Sequence, residues 1–174
     1  MSRIIIGVMG PGAGASEQDR RNAAELGALI AQEGWVVLTG GRDEGVMDAA
    51  VQGARGVGGL TIGVLPSSDV SNLSSGVEIP IVTGIGEARN LINVLTSRVV
   101  LVCGMSSGTA SEVALALKAE RDVVLIQPTD DTWKFWLGLD GSRVHKANAP
   151  SDAIAVARRL VLAPPLSVRR RVGA

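Results

Sequence analysis

Val99-Val100-Leu101-Val102-Cys103-Gly104-Met105-Ser106-Ser107-Gly108-Thr109-Ala110-Ser111-Glu112 carries an apolar run into small residues and on into a helical pattern, Val113-Ala114-Leu115-Ala116-Leu117. The run is short and β-branched and reads as a strand covered on both faces. A strand that turns through Ser, Gly and Thr into a helix leaves several backbone N–H groups free at the helix start. Together with the helix dipole, those groups suit an anion such as a phosphate.

The same alternation runs through the chain. Strands are predicted at 4–9, 35–39, 60–65, 79–82, 99–103 and 123–127, most of them continuously apolar. Helices are predicted near 17–33, 45–55, 87–96, 109–120, 131–137 and 152–162. Leu26, Gly27 and Ile30 share one helical face, and Val46, Met47, Ala50, Val51 and Ala54 share another. Alternating strands and helices imply an α/β fold, a doubly wound and mainly parallel sheet flanked by helices. Residues 66–76 are rich in Ser, Asp and Asn and read as a loop. Residues 1–163 are expected to form one ligand-binding domain. Past Leu162 the pattern stops, and 164–174, with Arg169-Arg170-Arg171, read as a flexible, solvated tail.

The totals narrow the function classes. Seventeen basic residues balance seventeen acidic ones, so no general field draws the chain to nucleic acid or to an anionic membrane. With no Tyr, one Phe and three Trp, stacking of successive bases on several rings is disfavoured. Cys103 is the only cysteine and His145 the only histidine, which excludes a disulfide framework, a cysteine cluster and a multi-imidazole metal site. No apolar run reaches the ~18 residues of a spanning helix, and Met1-Ser2-Arg3 leads straight into Ile4-Ile5-Ile6. A cytoplasmic location is expected. Glycine supplies 22 of 174 residues, well above the usual ~7%.

In open parallel sheets, ligands bind beyond the carboxyl ends of the strands. Four predicted strands end in glycine-bearing loops: Gly10-Pro11-Gly12, Gly40-Gly41-Arg42, Gly84-Ile85-Gly86-Glu87-Ala88-Arg89, and Gly104-Met105-Ser106-Ser107-Gly108-Thr109. All four are expected on one rim, around one cleft. Gly10-Pro11-Gly12 does not follow the dinucleotide spacing, and no P-loop lysine is present. Thr109-x-x-Glu112 has the form of a capping box; alternatively, Thr109 binds phosphate oxygens and Glu112 acts as a general base or ribose contact. Arg42 and Arg89 read either as surface charges or as guanidinium groups that neutralise a ligand phosphate. Cys103 reads as a buried filler, with a thiolate near a bound metal as the second reading, and His145 as a surface or capping residue rather than a catalytic one. Trp133, Phe135 and Trp136 read as a satellite core or subunit contact, with a lid as the second reading.

These segments carry a resemblance. Thr39-Gly40-Gly41-Arg42-Asp43-Glu44-Gly45-Val46-Met47-Asp48-Ala49-Ala50, Gly84-Ile85-Gly86-Glu87-Ala88-Arg89-Asn90 and Gly108-Thr109-x-x-Glu112 resemble the lysine decarboxylase-like superfamily of Rossmann-like proteins, which contains the cytokinin-activating phosphoribohydrolases. Ile6-Gly7-Val8-Met9-Gly10-Pro11-Gly12, Gly63-Val64-Leu65-Pro66, Ile79-Pro80-Ile81-Val82-Thr83-Gly84 and the run from Gly108 to Lys118 look like the molybdenum cofactor carrier branch. The resemblance covers about residues 3–162.

The carrier resemblance implies a binding protein that holds, protects and hands on the molybdenum cofactor, a pterin with a terminal phosphate. In that reading Ser106, Ser107, Gly108 and Thr109 hold the phosphate; Gly10, Pro11, Gly12, Gly40, Gly41, Arg42, Arg89 and Glu112 line the rest, and no resident metal is required. It further implies molybdenum enzymes as acceptors and a homodimer or homotetramer. The phosphoribohydrolase resemblance implies hydrolysis of a nucleoside 5′-monophosphate, with Arg89 and Glu112 catalytic. In that family the loop reads Pro-Gly-Gly-x-Gly-Thr-x-x-Glu and the arginine is followed by lysine. Here Gly104, Met105 and Ser106 stand in place of Pro-Gly-Gly and Asn90 in place of the lysine, which weakens the hydrolytic reading. A nucleotide sensor without turnover is the third reading.

Overall fold

The computed structural model describes residues 3–163; the tail expected at 164–174 lies outside the described residues. The elements are β1 (Ile5–Met9), α1 (Glu17–Gln32), β2 (Val36–Thr39), α2 (Gly45–Arg55), β3 (Thr61–Leu65), β4 (Ile79–Val82), α3 (Arg89–Thr96), β5 (Val99–Cys103), α4 (Ser107–Lys118), β6 (Asp122–Ile126), α5 (Asp130–Asp140), β7 (Val144–Ala147) and α6 (Pro150–Leu162). A single 3-10 turn, Gly86–Ala88, precedes α3.

The strands form one sheet in the order β4-β3-β2-β1-β5-β6-β7. Every pairing is parallel, so the expected doubly wound α/β fold is present. β7 is a correction, because only six strands were predicted. Its residues Val144, His145, Lys146 and Ala147 are buried only at the two ends. An edge strand of that kind lacks the continuous apolar run that marks the central strands. Other boundaries also differ. α5 begins one residue before and ends three residues after its predicted range, with the Thr129 hydroxyl accepting the Thr132 N–H at 3.2 Å. α6 begins at Pro150, whose missing N–H costs nothing in a first turn.

Alternate strand residues face two cores. Ile6, Val8, Val37, Val99, Leu101 and Cys103 pack under α1, α2 and α6. Met9, Leu38, Val64, Val100, Val102 and Leu125 pack against Val94 of α3, Val113 and Ala116 of α4 and Trp136 of α5. On the first face α1 and α2 meet backbone to backbone. A Cβ on Gly27 would collide with the Ala50 carbonyl oxygen, and one on Gly53 with the Ala24 carbonyl oxygen.

The predicted loop joining β3 to β4 is tied to its surroundings. The Ser74 hydroxyl donates to Asp48, the Ser74 N–H to the Gly41 carbonyl at 2.9 Å, and the Thr61 hydroxyl to the Gly76 carbonyl at 2.7 Å. No helix among the described residues is long and apolar enough to cross a membrane.

Gly27→Ala tests the close helix contact. Helix propensity favours alanine by up to ~1 kcal/mol, whereas overpacking costs ~1–3 kcal/mol. A net loss is expected, seen as a lower urea midpoint at unchanged slope. A raised midpoint would show that α1 and α2 separate freely.

Candidate functional site

The winding runs outward from β1 to β4, then returns to place β5 on the other side of β1. Such a reversal opens a crevice at the strands' carboxyl ends. There the loops after β1, β2 and β5 and the start of α3 enclose a cleft with about 540 Å³ of empty space, its open mouth included.

One wall is the start of α4. Ser106 has an extended backbone, and its hydroxyl accepts the Thr109 N–H at 3.2 Å and lies 2.9 Å from the Thr109 hydroxyl. The Ala110 N–H bonds back to the Ser106 carbonyl at 2.8 Å. The amides of Ser107 and Gly108 therefore precede the first intrahelical bond and have no acceptor within the helix. This corrects the capping-box reading: the cap is Ser106, not Thr109, and Glu112 lies a turn deeper. Glu112 is 7% exposed and accepts a hydrogen bond from Asn93 Nδ2 of α3 at 3.2 Å.

Arg89 opens α3 and is only 5% exposed. Its guanidinium lies over Gly40, where a Cβ would collide with Nη1. Neither Nε nor Nη1 finds a hydrogen-bond partner in the protein. Buried donors are nearly always paired, and leaving them unpaired costs free energy. Burial draws the Arg89 pKa below its ordinary value, while Glu112 and Glu87 act to raise it and Arg42 to lower it. Asn90 is also buried and lines the cleft, with Nδ2 donating to the Ser111 hydroxyl at 3.3 Å and Oδ1 unpartnered.

Burial pushes the Glu112 carboxyl up to about 7; the Asn93 hydrogen bond and Arg89 pull against that, and Glu87 adds to it. Arg42 pairs with Glu44 at 3.5 Å, both half-exposed. Two guanidinium groups and three carboxylates thus line the cleft, with Glu112 able to hold a proton.

Nine of the predicted residues meet in this cleft: Gly10, Gly12, Gly40, Arg42, Arg89, Ser106, Gly108, Thr109 and Glu112. Three do not line it. The Pro11 carbonyl accepts the Val46 N–H at 3.0 Å. Gly41 turns the chain at φ 77°, against Gly63. Ser107 is exposed as the first residue of α4. Glu44, Met47, Glu87 and Asn90 also line the cleft without having been predicted. Glu87 and Asn90 flank Arg89 in a segment already singled out, which was their available signal.

Other candidates lie elsewhere. Cys103 is buried in the core, and burial raises its thiol pKa, as suits a filler. His145 Nε2 lies 2.9 Å from Asp122 Oδ1 on β6 and β7, away from the cleft. Trp136 is buried as a satellite core residue, Phe135 is exposed with its ring edge-on to Trp136 at 4.9 Å, and neither lines the cleft.

The chain matches the SLOG cluster4 family over residues 3–154. Among solved structures, the molybdenum cofactor binding protein of Rippkaea orientalis is 50% identical, with a TM-score of 0.91, covering 92% of this chain and 99% of that one. The molybdenum cofactor carrier protein of Chlamydomonas reinhardtii is 49% identical, with a TM-score of 0.89, covering 93% and 100%. A cytokinin riboside 5′-monophosphate phosphoribohydrolase of Mycobacterium tuberculosis is 48% identical over 44 residues, 25% of this chain and 24% of that protein. The resemblance to the carrier branch is borne out.

Glu112 carries a pH signature. Folded, it keeps its proton up to about pH 7; its ordinary pKa is 4.5. Its stabilising contribution is therefore complete below pH 4.5 and is lost as pH rises through 7. Glu112→Gln removes that loss and retains an acceptor for Asn93. Relative to the parent, the variant is expected to gain on the order of 1–3 kcal/mol between pH 5 and 8. Urea melts across that range check it; parallel curves would contradict a raised Glu112 pKa.

Proposed function

This chain belongs to the SLOG cluster4 family, and on that footing we propose that it binds, protects and carries the molybdenum cofactor. The observation that carries this reading is the buried Arg89 guanidinium, unpaired on Nε and Nη1, in the same cleft as Gly108 at the start of α4. A terminal phosphate completes both. It accepts from Ser107 and Gly108 N–H, lies against the helix dipole and brings negative charge to Arg89. Thr109 Oγ1 and Asn90 add neutral polar contacts, and Arg42 stands at the mouth. Glu112 in its protonated form lets the anion approach without opposing it.

Carrying breaks no covalent bond, and the cleft opens on the rim, where the cargo passes to an acceptor molybdenum enzyme. Assembly into a homodimer or homotetramer is supported by β4, an edge strand whose four residues are all exposed, and by Leu91 and Leu95 exposed on α3.

Glu112 also supports a second reading, a nucleoside 5′-monophosphate phosphoribohydrolase. A buried carboxyl with a pKa of about 7 beside an arginine has the properties of a general base. Against it stands Asn90, neutral and bonded to Ser111 where hydrolases carry a lysine.

Ser106→Asp separates the phosphate site from the fold, since Asp caps a helix as well as Ser does but repels an anion. The purified parent is expected to retain the cofactor near-stoichiometrically through anaerobic gel filtration, read as pterin fluorescence after oxidation. Ser106→Asp and Arg89→Met are expected to retain at least tenfold less, with unchanged far-ultraviolet circular dichroism. No retention by the parent overturns the carrier reading. A panel of nucleoside 5′-monophosphates is expected to release no base; release that Glu112→Ala abolishes would establish the hydrolase.

A further inference from the structure

A second hollow opens on the same rim, over the carboxyl ends of β5 and β6 and between the starts of α1 and α5, with about 590 Å³ of empty space, its open mouth included. The β5–α4 loop runs between it and the first cleft. Gly104 and Met105 line the hollow and Ser106 lines the cleft, so the two lie within the ~7 Å that two residues of chain span. We propose that this hollow seats the ring system of the ligand whose phosphate occupies the first cleft, and that it recognises a 2-amino-4-oxo pyrimidine edge of the pterin class through Asp19. This rests on the proposed carrier function and adds to it a ring subsite and a rule of ring selection.

The division of labour follows from charge. Arg42 and Arg89 both line the first cleft, whereas no Arg or Lys lines the second. A phosphate has no countercharge in the second hollow, where Asp19 repels it. A neutral ring that offers N–H donors suits it.

Asp19 is held as the capping-box partner of Ser16 at the start of α1. Its Oδ2 accepts the Ser16 N–H at 3.0 Å, which leaves lone pairs on both oxygens. Gly104, at φ 74°, has no side chain to displace it; a Cβ there would lie 2.6–2.7 Å from the carboxyl atoms. A fixed carboxylate can accept two neighbouring donors, the ring N–H and the exocyclic amino group. Asn22, 5% exposed, commits Oδ1 to Gln18 at 2.9 Å and one amide proton to Gln127 Oε1 at 3.0 Å. Its other amide proton remains for a ring carbonyl. Val102, Met105 and Leu125 supply apolar surface for the ring face, and the thioether suits an aromatic partner.

The backbone of this wall is unusual. Gln127 directly follows β6 and sits at φ 48°, a left-handed conformation rare outside glycine. It is held there by Asn22, by its Nε2 bond to the Asn148 carbonyl at 2.9 Å, and by its N–H bond to the Ala147 carbonyl at 2.9 Å. Strain held by several contacts at a cavity wall points to a site.

The test uses phosphate-free fluorescent rings on the intact protein. 6-Hydroxymethylpterin presents the amino group; lumazine replaces it with a carbonyl. By fluorescence anisotropy the parent is expected to bind the pterin at least tenfold tighter than lumazine. Asp19→Asn keeps an acceptor for the Ser16 N–H but offers the ring a donor, and is expected to level or invert that preference. Thr132→Trp, which fills the hollow from α5, is expected to weaken both rings at least tenfold. A parent that binds the two rings alike, or binds neither, overturns the assignment, as does an Asp19→Asn protein with the parent's preference. Failure of the carrier reading appears separately, as absent retention of the whole cofactor, and leaves the ring preference measurable.

Discussion

Reversal of the winding between β1 and β5 is the constraint on which the rest of the structure depends. Seven strands lie parallel, so all their carboxyl ends reach one rim. The connections to the left of β1 in the sheet order place α1 and α2 on one face, and those to its right place α4 and α5 on the other. Neighbouring loops at the reversal therefore diverge, and the gap between them cannot be closed by either helical layer. Gly10, Gly40 and Ser106 arrive in that gap from three different strands. The backbone contact of α1 with α2 at Gly27 and Gly53 keeps the first layer thin.

Charge supports reading the gap as an anion site rather than a packing defect. Arg89 is as buried as a core residue, yet its Nε and Nη1 are unpaired and Glu112 forms no ion pair with it. A strong Arg89–Glu112 pair would neutralise the cleft internally and leave no reason for an external anion to bind. Instead Asn93 holds Glu112, and burial favours its neutral form near pH 7. The guanidinium thus retains an unsatisfied demand for negative charge, and the α4 amides share it.

Much of this arrangement was legible in the sequence, for stated physical reasons. Central strands are apolar on both faces, so 99–103 and its neighbours declare themselves without any structure. β7 did not, because His145 and Lys146 interrupt its apolar character at the sheet edge. The four glycine loops announced the rim, and nine of twelve chosen residues reached the cleft. Thr109-x-x-Glu112 misled, since the spacing of a capping box also places two residues on one face of a helix that starts earlier. Choosing between those readings requires knowing that Ser106, not Thr109, leaves the helical conformation. Glu44 and Met47 stood within the singled-out segment from Thr39 to Ala50, but their place at the cleft depends on α2 starting beside the β1 loop, a tertiary fact.

Carrier and hydrolase differ here by little sequence, and the loop after β5 is where the difference has physical content. In the hydrolase pattern Pro-Gly-Gly fills the positions that Gly104, Met105 and Ser106 occupy here. Glycine in the last of those positions has no hydroxyl, so the helix start depends on the ligand or on water for its cap. Ser106 supplies that cap from within the chain, through Thr109 N–H. The α4 terminus is thereby formed before any anion arrives, and binding need not order it. A preformed anion seat that lacks the lysine, with Asn90 locked to Ser111 instead, retains the means to hold a phosphate ester. It lacks the second fixed cation that, in the hydrolase pattern, helps hold the 5′-phosphate. That departure from the hydrolase pattern supports the carrier reading of the cleft.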